Sequence, residues 1–397
     1  MTKEELLNRA KRHIFSTGVN DITSRLCRTN MKFGLAKFHL VQEKYGFEPN
    51  ATFISAPDET ITRNRRRWNN GVGYGGKICW GNGRERFVIL DVMPNACGML
   101  VGGLDELPDP KDVINSVHEI RGKDIYIDDT KVEWDFQEGN HFIDVFKIIK
   151  TAEVELPEFA FVIHGSGPEF KGDSEKGLGL YVHQSKTLRE MADRVETPFG
   201  VCNVVTDDNA SEYMEFYFYV DQFSKKRRSL AAKEIFGEYD EIINLTHQGM
   251  VNYNEICLGC HDMDESSNGI FPILLRGDLP AYLVKGKPNF DDETIEILGF
   301  RKRAEELGVL KRLEEANILP HGGGYNFPDM LNVLDVVETP TKRYFIVEMV
   351  HGMGDKIVSE VDGLQFSYRG REVIVRALEL GLAEIVARML PQYVLKI

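Results

Sequence analysis

Apolar and polar residues alternate along this chain with two distinct periods. Leu6, Leu7, Ala10 and Ile14 recur near helical spacing with charges between them, which predicts a helix over residues 1–16. Residues 211–236 and 292–316 carry that period further and predict two long helices. VIVRALELGLAEIVARMLP, residues 373–391, reads as a helix, a glycine break and a second helix. Short apolar runs fill much of the interval: FVILDV (87–92), KDIYIDD, HFIDVFKIIK, EFAFVIHGSG and LGLYVHQ. Their β-branched and aromatic content predicts strands. No internal repeat, low-complexity tract or Pro/Ser-rich linker divides the sequence, so one large α+β domain over 1–397 is expected.

Composition narrows the class. The 397 residues are 42% hydrophobic and 28% charged, which excludes disorder as the dominant state. MTKEELLNRAKRHIF places its charges early and has no apolar h-region, so it is not a secretory signal. No stretch approaches the roughly 18 apolar residues of a membrane span. Six cysteines without an export signal imply a cytoplasmic location with free or metal-bound thiols. Lys+Arg 48 against Asp+Glu 62 gives a net charge of -14, which argues against broad nucleic-acid binding.

Several motifs carry candidate chemistry. CLGCH, Cys257 to His261, matches a c-type haem pattern, but without export that reading is rejected in favour of a loop. No second C-x-x-C completes a zinc site. His141, His164, His247, His321 and His351 each end an apolar run and precede a turn, where a rigid strand can project a ligand or a reactive group. Imidazoles with one thiolate suit a divalent transition metal. Cys97 could supply the thiolate and Asp91 a harder oxygen ligand. Two basic runs, TRNRRRW (63, 65, 66 and 67 are Arg) and SKKRR (225–228), read either as solvated faces or as RNA contacts. Trp68 and Tyr74 add stacking capacity beside the first.

The order PNACGM, GNHFIDV, IHGSG, THQG, GIFPILLRGDLPAYLVKG, HGGG and GLAEIVARMLPQYVLKI resembles the RtcB-type 3′-phosphate RNA splicing ligases over roughly residues 70–397. Residues 1–60 match less clearly. The resemblance implies mixed and antiparallel sheets around a central metal cleft with peripheral helices, and a cytoplasmic monomer acting in tRNA splicing or RNA repair. It implies two Mn²⁺ ions, or Zn²⁺ in their place, held by Cys97, His141, His164 and His247. Asn140 would contact the guanylate of GTP, and His321 would be the nucleophile that becomes guanylylated. Gly322, Gly323 and Gly324 would let backbone N–H groups approach a phosphate. Lys396 would sit at the guanine pocket, and Arg276 is a candidate phosphate contact. The partners would be GTP and RNA ends, a 3′-phosphate or 2′,3′-cyclic phosphate joined to a 5′-hydroxyl.

The sequence also departs from that pattern. Pro94 stands where the family has a metal-binding aspartate, which is why Asp91 is considered. Pro168 and Tyr325 stand where the family has arginines, the preferred bidentate partners of phosphate. A metal-dependent phosphoesterase on the same scaffold is therefore one rival, and a non-catalytic RNA-end or nucleotide-binding relative is another. If RNA is the partner, the charge balance predicts weak long-range binding, with recognition concentrated at the terminal phosphate.

Overall fold

A computed structural model describes residues 1–287, 290–339, 341–352 and 354–396. Eleven strands build its central sheet: β1 (Ile14–Phe15), β2 (Thr52–Thr60), β3 (Tyr74–Cys79), β4 (Cys97–Leu104), β5 (Phe142–Lys150), β6 (Phe159–Gly165), β7 (Asp240–Asn252), β8 (Glu255–Leu258), β9 (Ile270–Ile273), β10 (Ala281–Gly286) and β11 (Ala383–Leu395). Their spatial order is β1-β2-β3-β8-β7-β4-β6-β5-β11-β10-β9. The β1–β2 pair is parallel. The remaining neighbours are antiparallel. Smaller two- and three-stranded sheets surround it. Apolar clusters cover both faces, so several strands read as continuous hydrophobic runs. β2 is buried at every position, and its pairing with β3 shifts register between Ser55 and Thr60. That irregularity spans Pro57-Asp58-Glu59, which places two carboxylates inside the protein.

Ten helices accompany the sheets among the described residues: α1 (Lys3–Arg12), α2 (Ile22–Lys44), α3 (Arg65–Asn70), α4 (Pro110–Gly122), α5 (Lys186–Met191), α6 (Asp207–Phe236), α7 (Asp292–Ile297), α8 (Arg301–Glu306), α9 (Leu310–Glu314) and α10 (Glu372–Glu379). α1 begins on a capping box between Thr2 and Glu5. α6 contains the predicted 211–236 helix and starts four residues earlier. No described helix is long and apolar enough to cross a membrane.

Three expectations change. Residues 292–316 form three short helices, because Gly299 (φ 64°) and Gly308 (φ 66°) take the left-handed conformation that ends a helix. The second half of 373–391 is strand β11, held between β5 and β10, so sheet pairing overrides a helical period. LGLYVHQ forms no strand, although Leu178, Leu180 and Tyr181 are buried. α2 is an internal helix rather than a peripheral one: Leu26, Met31, Leu35 and Phe38 are buried together with Asn30, Lys37, His39 and Gln42. The polar members find partners indoors, including the carbonyls of Trp68, Ala51 and Trp80.

Candidate metal centre

β4, β5, β6 and β7 are neighbours or near-neighbours in the sheet, and together they converge four side chains. Cys97 opens β4, His141 immediately precedes β5, His164 lies near the end of β6 and His247 in the middle of β7. Cys97 Sγ is 3.4 Å from His141 Nε2 and 3.2 Å from His164 Nε2. His164 Nε2 is in turn 3.2 Å from His247 Nε2. Cys97, His141 and His164 form a buried group whose ligand atoms all lie within 4.8 Å of one another, able to hold a metal ion. Bond lengths of about 2.0–2.3 Å to nitrogen and sulfur place neighbouring ligands about this far apart. A soft thiolate with imidazoles fits a divalent transition ion.

The outward nitrogens of His141 and His164 are anchored, as metal-binding imidazoles require, whereas Nδ1 of His247 is buried without a hydrogen-bond partner. Asp135 Oδ2 accepts from His141 Nδ1 at 2.9 Å, and the Asn140 carbonyl lies 3.0 Å from His164 Nδ1. These partners fix the tautomers with Nε2 free toward the cluster. Asp135 also accepts from the Ser166 amide and hydroxyl and, on its other oxygen, from Arg227 Nη2 at 2.6 Å. Burial opposes its ionisation, but Arg227 and His141 hold the carboxyl well below the usual range. Burial likewise opposes a Cys97 thiolate, yet His164, His141 and His247 pull the thiol well below its ordinary value. The neighbouring Arg228 reaches the Ala96 and Gly165 carbonyls and Asn244, bracing the turns that carry Cys97 and His164. The Cys97 turn itself is strained, with Met93 at φ 56° and Ala96 at φ 52°. Arg67 donates to the Met93 carbonyl at 2.5 Å and Asn95 Oδ1 accepts from the Cys97 amide at 3.0 Å, so the turn is held from two sides.

His321 stands beside this cluster. Its ring centroid is 4.7 Å from that of His247. Its Nδ1 lies 2.7 Å from Asp58 Oδ2, which also accepts from the His321 and Gly322 amides. With Nδ1–H directed at Asp58, Nε2 is left as a free basic nitrogen. A cavity of about 200 Å³ is lined by His321, His164, Asn140, Gly322, Gly323, Gly324 and Lys396. Lys396 also donates to the Gly139 carbonyl. Tyr74, Phe142, Tyr325 and Tyr368 give the cavity an aromatic wall. Asp144 lines it too, only 7% exposed and with Oδ1 unpartnered, and burial raises its carboxyl to about 7.

The glycines differ from expectation. The Gly322 and Gly323 amides already donate to Asp58 and to the Leu274 carbonyl. A Cβ at 322 would lie 2.5 Å from that carbonyl, and one at 323 would lie 2.5 Å from the Arg369 carbonyl. These glycines permit close packing of the turn rather than offering free donors.

Other predicted residues lie elsewhere. Asp91 stands outside the Cys–His group: its carboxylate binds Lys37 at 2.6 Å and Asn203, and both it and Lys37 are buried. Arg276 pairs with Asp278 at 2.6 Å and does not line the cavity. His351 is exposed, in the turn after the strand Arg343–Met349. The basic runs are divided between the interior and the surface, where Arg65, Arg66 and Lys226 are exposed. Trp68 is buried against Phe345, and Arg67, Arg227 and Arg228 are buried braces. Arg65 pairs with Glu360 and Asp362. Cys257 and Cys260 are buried in strands, so CLGCH is a strand–turn–strand rather than a loop. Sequence reading missed Asp58, Asp135 and Asp144. The first two sit in segments without a histidine motif, and the third was hidden in a strand pattern. A larger cleft of about 930 Å³, lined by Lys77, Glu255 and Arg312, holds none of the predicted site residues.

No known protein-family model matches the chain, and no curated protein matches it either.

Proposed function

We propose that this protein is an RtcB-type RNA ligase, dependent on GTP and Mn²⁺, that joins a 3′-phosphate or 2′,3′-cyclic phosphate end to a 5′-hydroxyl end. The observation that carries the reading is the shared geometry of two features: a Cys–His metal group that reaches one cavity through His164, and an Asp-anchored histidine that lines the same cavity. His321 Nε2 is the nucleophile toward the α-phosphorus of GTP, forming a phosphoramidate and releasing pyrophosphate. Asp58 orients the ring and stabilises the imidazolium that attack creates. Lys396 and Asp144 offer a donor and an acceptor complementary to the guanine edge, and Asn140 a polar contact to the nucleotide. GMP then passes to the RNA 3′-phosphate, and the 5′-hydroxyl displaces it. Cys97, His141, His164 and His247 would hold the metal, which supplies charge neutralisation at the phosphates. With Asp91 paired to Lys37, these four donors suffice for one ion. The second ion implied by the resemblance is tested by metal counting.

Intact-mass measurement after incubation with GTP and Mn²⁺ tests the reading. A guanylate adduct is expected on the wild-type chain and absent from His321→Ala. Full ligation by His321→Ala would refute the nucleophile assignment. One observation favours the phosphoesterase rival: among the described residues Lys396 is the one Lys or Arg lining the cavity, and Tyr325 occupies the place of an arginine. That rival predicts cyclic-phosphate opening with no adduct. A non-catalytic relative predicts binding without turnover.

A further inference from the structure

Five basic side chains line one groove of about 550 Å³ on the N-terminal side of the molecule: Lys11 from α1, Arg25, Arg28 and Lys32 from α2, and Arg303 from α8. On α2 the spacing is i, i+3 and i+7, so the three share one helical face, with Thr29 between them. Four of the five lie within residues 1–60, where the family resemblance is weakest, and Arg303 ends the short run Arg301-Lys302-Arg303.

The five lack counter-charges. Arg25 donates to Asn332 at 3.2 Å, and Arg28 to Ser16 and Asn20. Arg303 lies 4.3 Å over the Phe15 ring, and Lys32 lies 5.1 Å from the Phe33 centroid. Among the described residues none of the five forms an ion pair. Three nearby carboxylates are already engaged, Glu338 by Lys3, Glu306 by Arg12 and Asp21 by Arg369, while the buried Glu59 acts on Arg28 without a direct ion pair. Asp335 and Glu338 act on Lys32 at longer range, while burial and Lys11 lower its pKa. Like charges stacked on one helix face destabilise it. In a chain of net charge -14 this concentration is out of character.

We infer that the groove is a second, non-catalytic site that binds the phosphodiester backbone of RNA. Its placement suits that role. Ser16, in the groove wall, donates to Glu59 at 2.7 Å, and the adjacent Asp58 holds His321. Strand β2 therefore separates the groove from the reactive cavity. Ile14 and Phe300 are buried beneath the cations, so the groove presents little apolar surface for a lipid bilayer. The choice of RNA among polyanions rests on the ligase reading, whereas anion binding by the groove does not. The groove also revises the expectation that recognition is confined to the terminal phosphate: RNA lacking that phosphate should bind more tightly with length until the groove is filled.

The test uses fluorescence anisotropy at low salt with fluorescein-labelled oligouridylates of increasing length, all ending in a 3′-hydroxyl. Arg25→Gln/Lys32→Gln should bind about tenfold more weakly, and losing two phosphate contacts should flatten the log K against log salt slope by about 1.4. Lys11→Glu, at an exposed position, is a second variant expected to weaken binding about fivefold by the same electrostatic effect. Both should guanylylate His321 normally, and Cys97→Ser should retain oligouridylate binding. Unchanged affinity in both groove variants, or binding of anionic phosphatidylserine vesicles but not RNA, would overturn the inference. Groove-dependent RNA binding in a protein that never forms the guanylate adduct would support the groove and refute the ligase reading.

Discussion

Asp91 separates a structural carboxylate from a metal ligand by experiment. Lys37 Nζ lies 2.6 Å from Asp91 Oδ2, with side-chain exposures of 2% and 3%. Lys37 also donates to the Val201 carbonyl, and Asn203 donates twice to the other carboxylate oxygen. Lys37→Met leaves a buried carboxylate with hydrogen bonds but no counter-charge, and Asp91→Asn leaves a buried ammonium. Breaking such a pair costs about 3–5 kcal/mol. An unfolding entropy of about 2.1 cal/mol/K per residue gives roughly 0.8 kcal/mol/K for 397 residues, so each single variant should melt about 4–6 °C lower. Lys37→Met/Asp91→Leu removes both charges and should recover most of that loss. Differential scanning calorimetry in chelator reads the stability without metal linkage. Elemental mass spectrometry of the metal-loaded, folded protein reads the content. Asp91→Asn should lose stability and keep its metal. A variant that melts like wild type in chelator yet binds less metal would refute the structural assignment and restore Asp91 as a ligand.

Four further outcomes are expected. Asp135→Asn should weaken metal binding about 10–100-fold in a competition titration, because the anchor of His141 is lost. Cys97→Ser should abolish high-affinity metal binding, and metal counting on the wild type should distinguish one ion from two. Glu59 is fully buried with Oε1 unpartnered, and burial raises its carboxyl from 4.5 to about 7. The folded chain therefore keeps this proton longer than the unfolded one: the contribution is greatest below about pH 4.5, declines through pH 7 and is flat above. Glu59→Gln should remove that decline and stabilise the protein by up to about 3 kcal/mol at pH 8, measured by chemical denaturation. Gly98→Ala should destabilise by about 1–3 kcal/mol in the same assay, since its Cβ would lie 2.2 Å from the Leu245 carbonyl and 2.7 Å from Arg228.

The histidine turns were legible because a strand end before a turn is a local pattern. Four of the five such histidines gather within one neighbourhood, while His351, with the same grammar, does not. The difference is topological: His141, His164 and His247 lie on or beside central-sheet strands, and His321 follows a strand paired with Cys260–Asp262, just beyond the central-sheet strand β8, whereas the strand before His351 belongs to a separate three-stranded sheet. The supporting carboxylates were not legible, since Asp58 gains meaning only from His321, far away in sequence, and Asp135 binds His141 across an irregular segment that carries no periodic signal. Charge runs misled for a related reason. Arg67, Arg227 and Arg228 are consecutive with other cations yet face inward, while the groove cations come from three separate segments, at 11, 25–32 and 303. α2 escaped periodic reading because polar residues such as Asn30, Lys37, His39 and Gln42 lie on its buried faces, which blurs the stripe formed by Arg25, Arg28 and Lys32. β11 escaped because its apolar spacing suits a helix as well as a strand, and only its two neighbours decide.

The position of β11 has a consequence for how the protein is made. It is synthesised after every other strand of the sheet, yet it sits inside the sheet, between β5 and β10. Until it emerges from the ribosome, both neighbours expose unpaired backbone edges, the surfaces most prone to intermolecular pairing. β11 also ends one residue before Lys396, which lines the cavity. A chain interrupted before β11 would thus be aggregation-prone and unable to complete the pocket, so closing the sheet and completing the cavity become a single late event in folding.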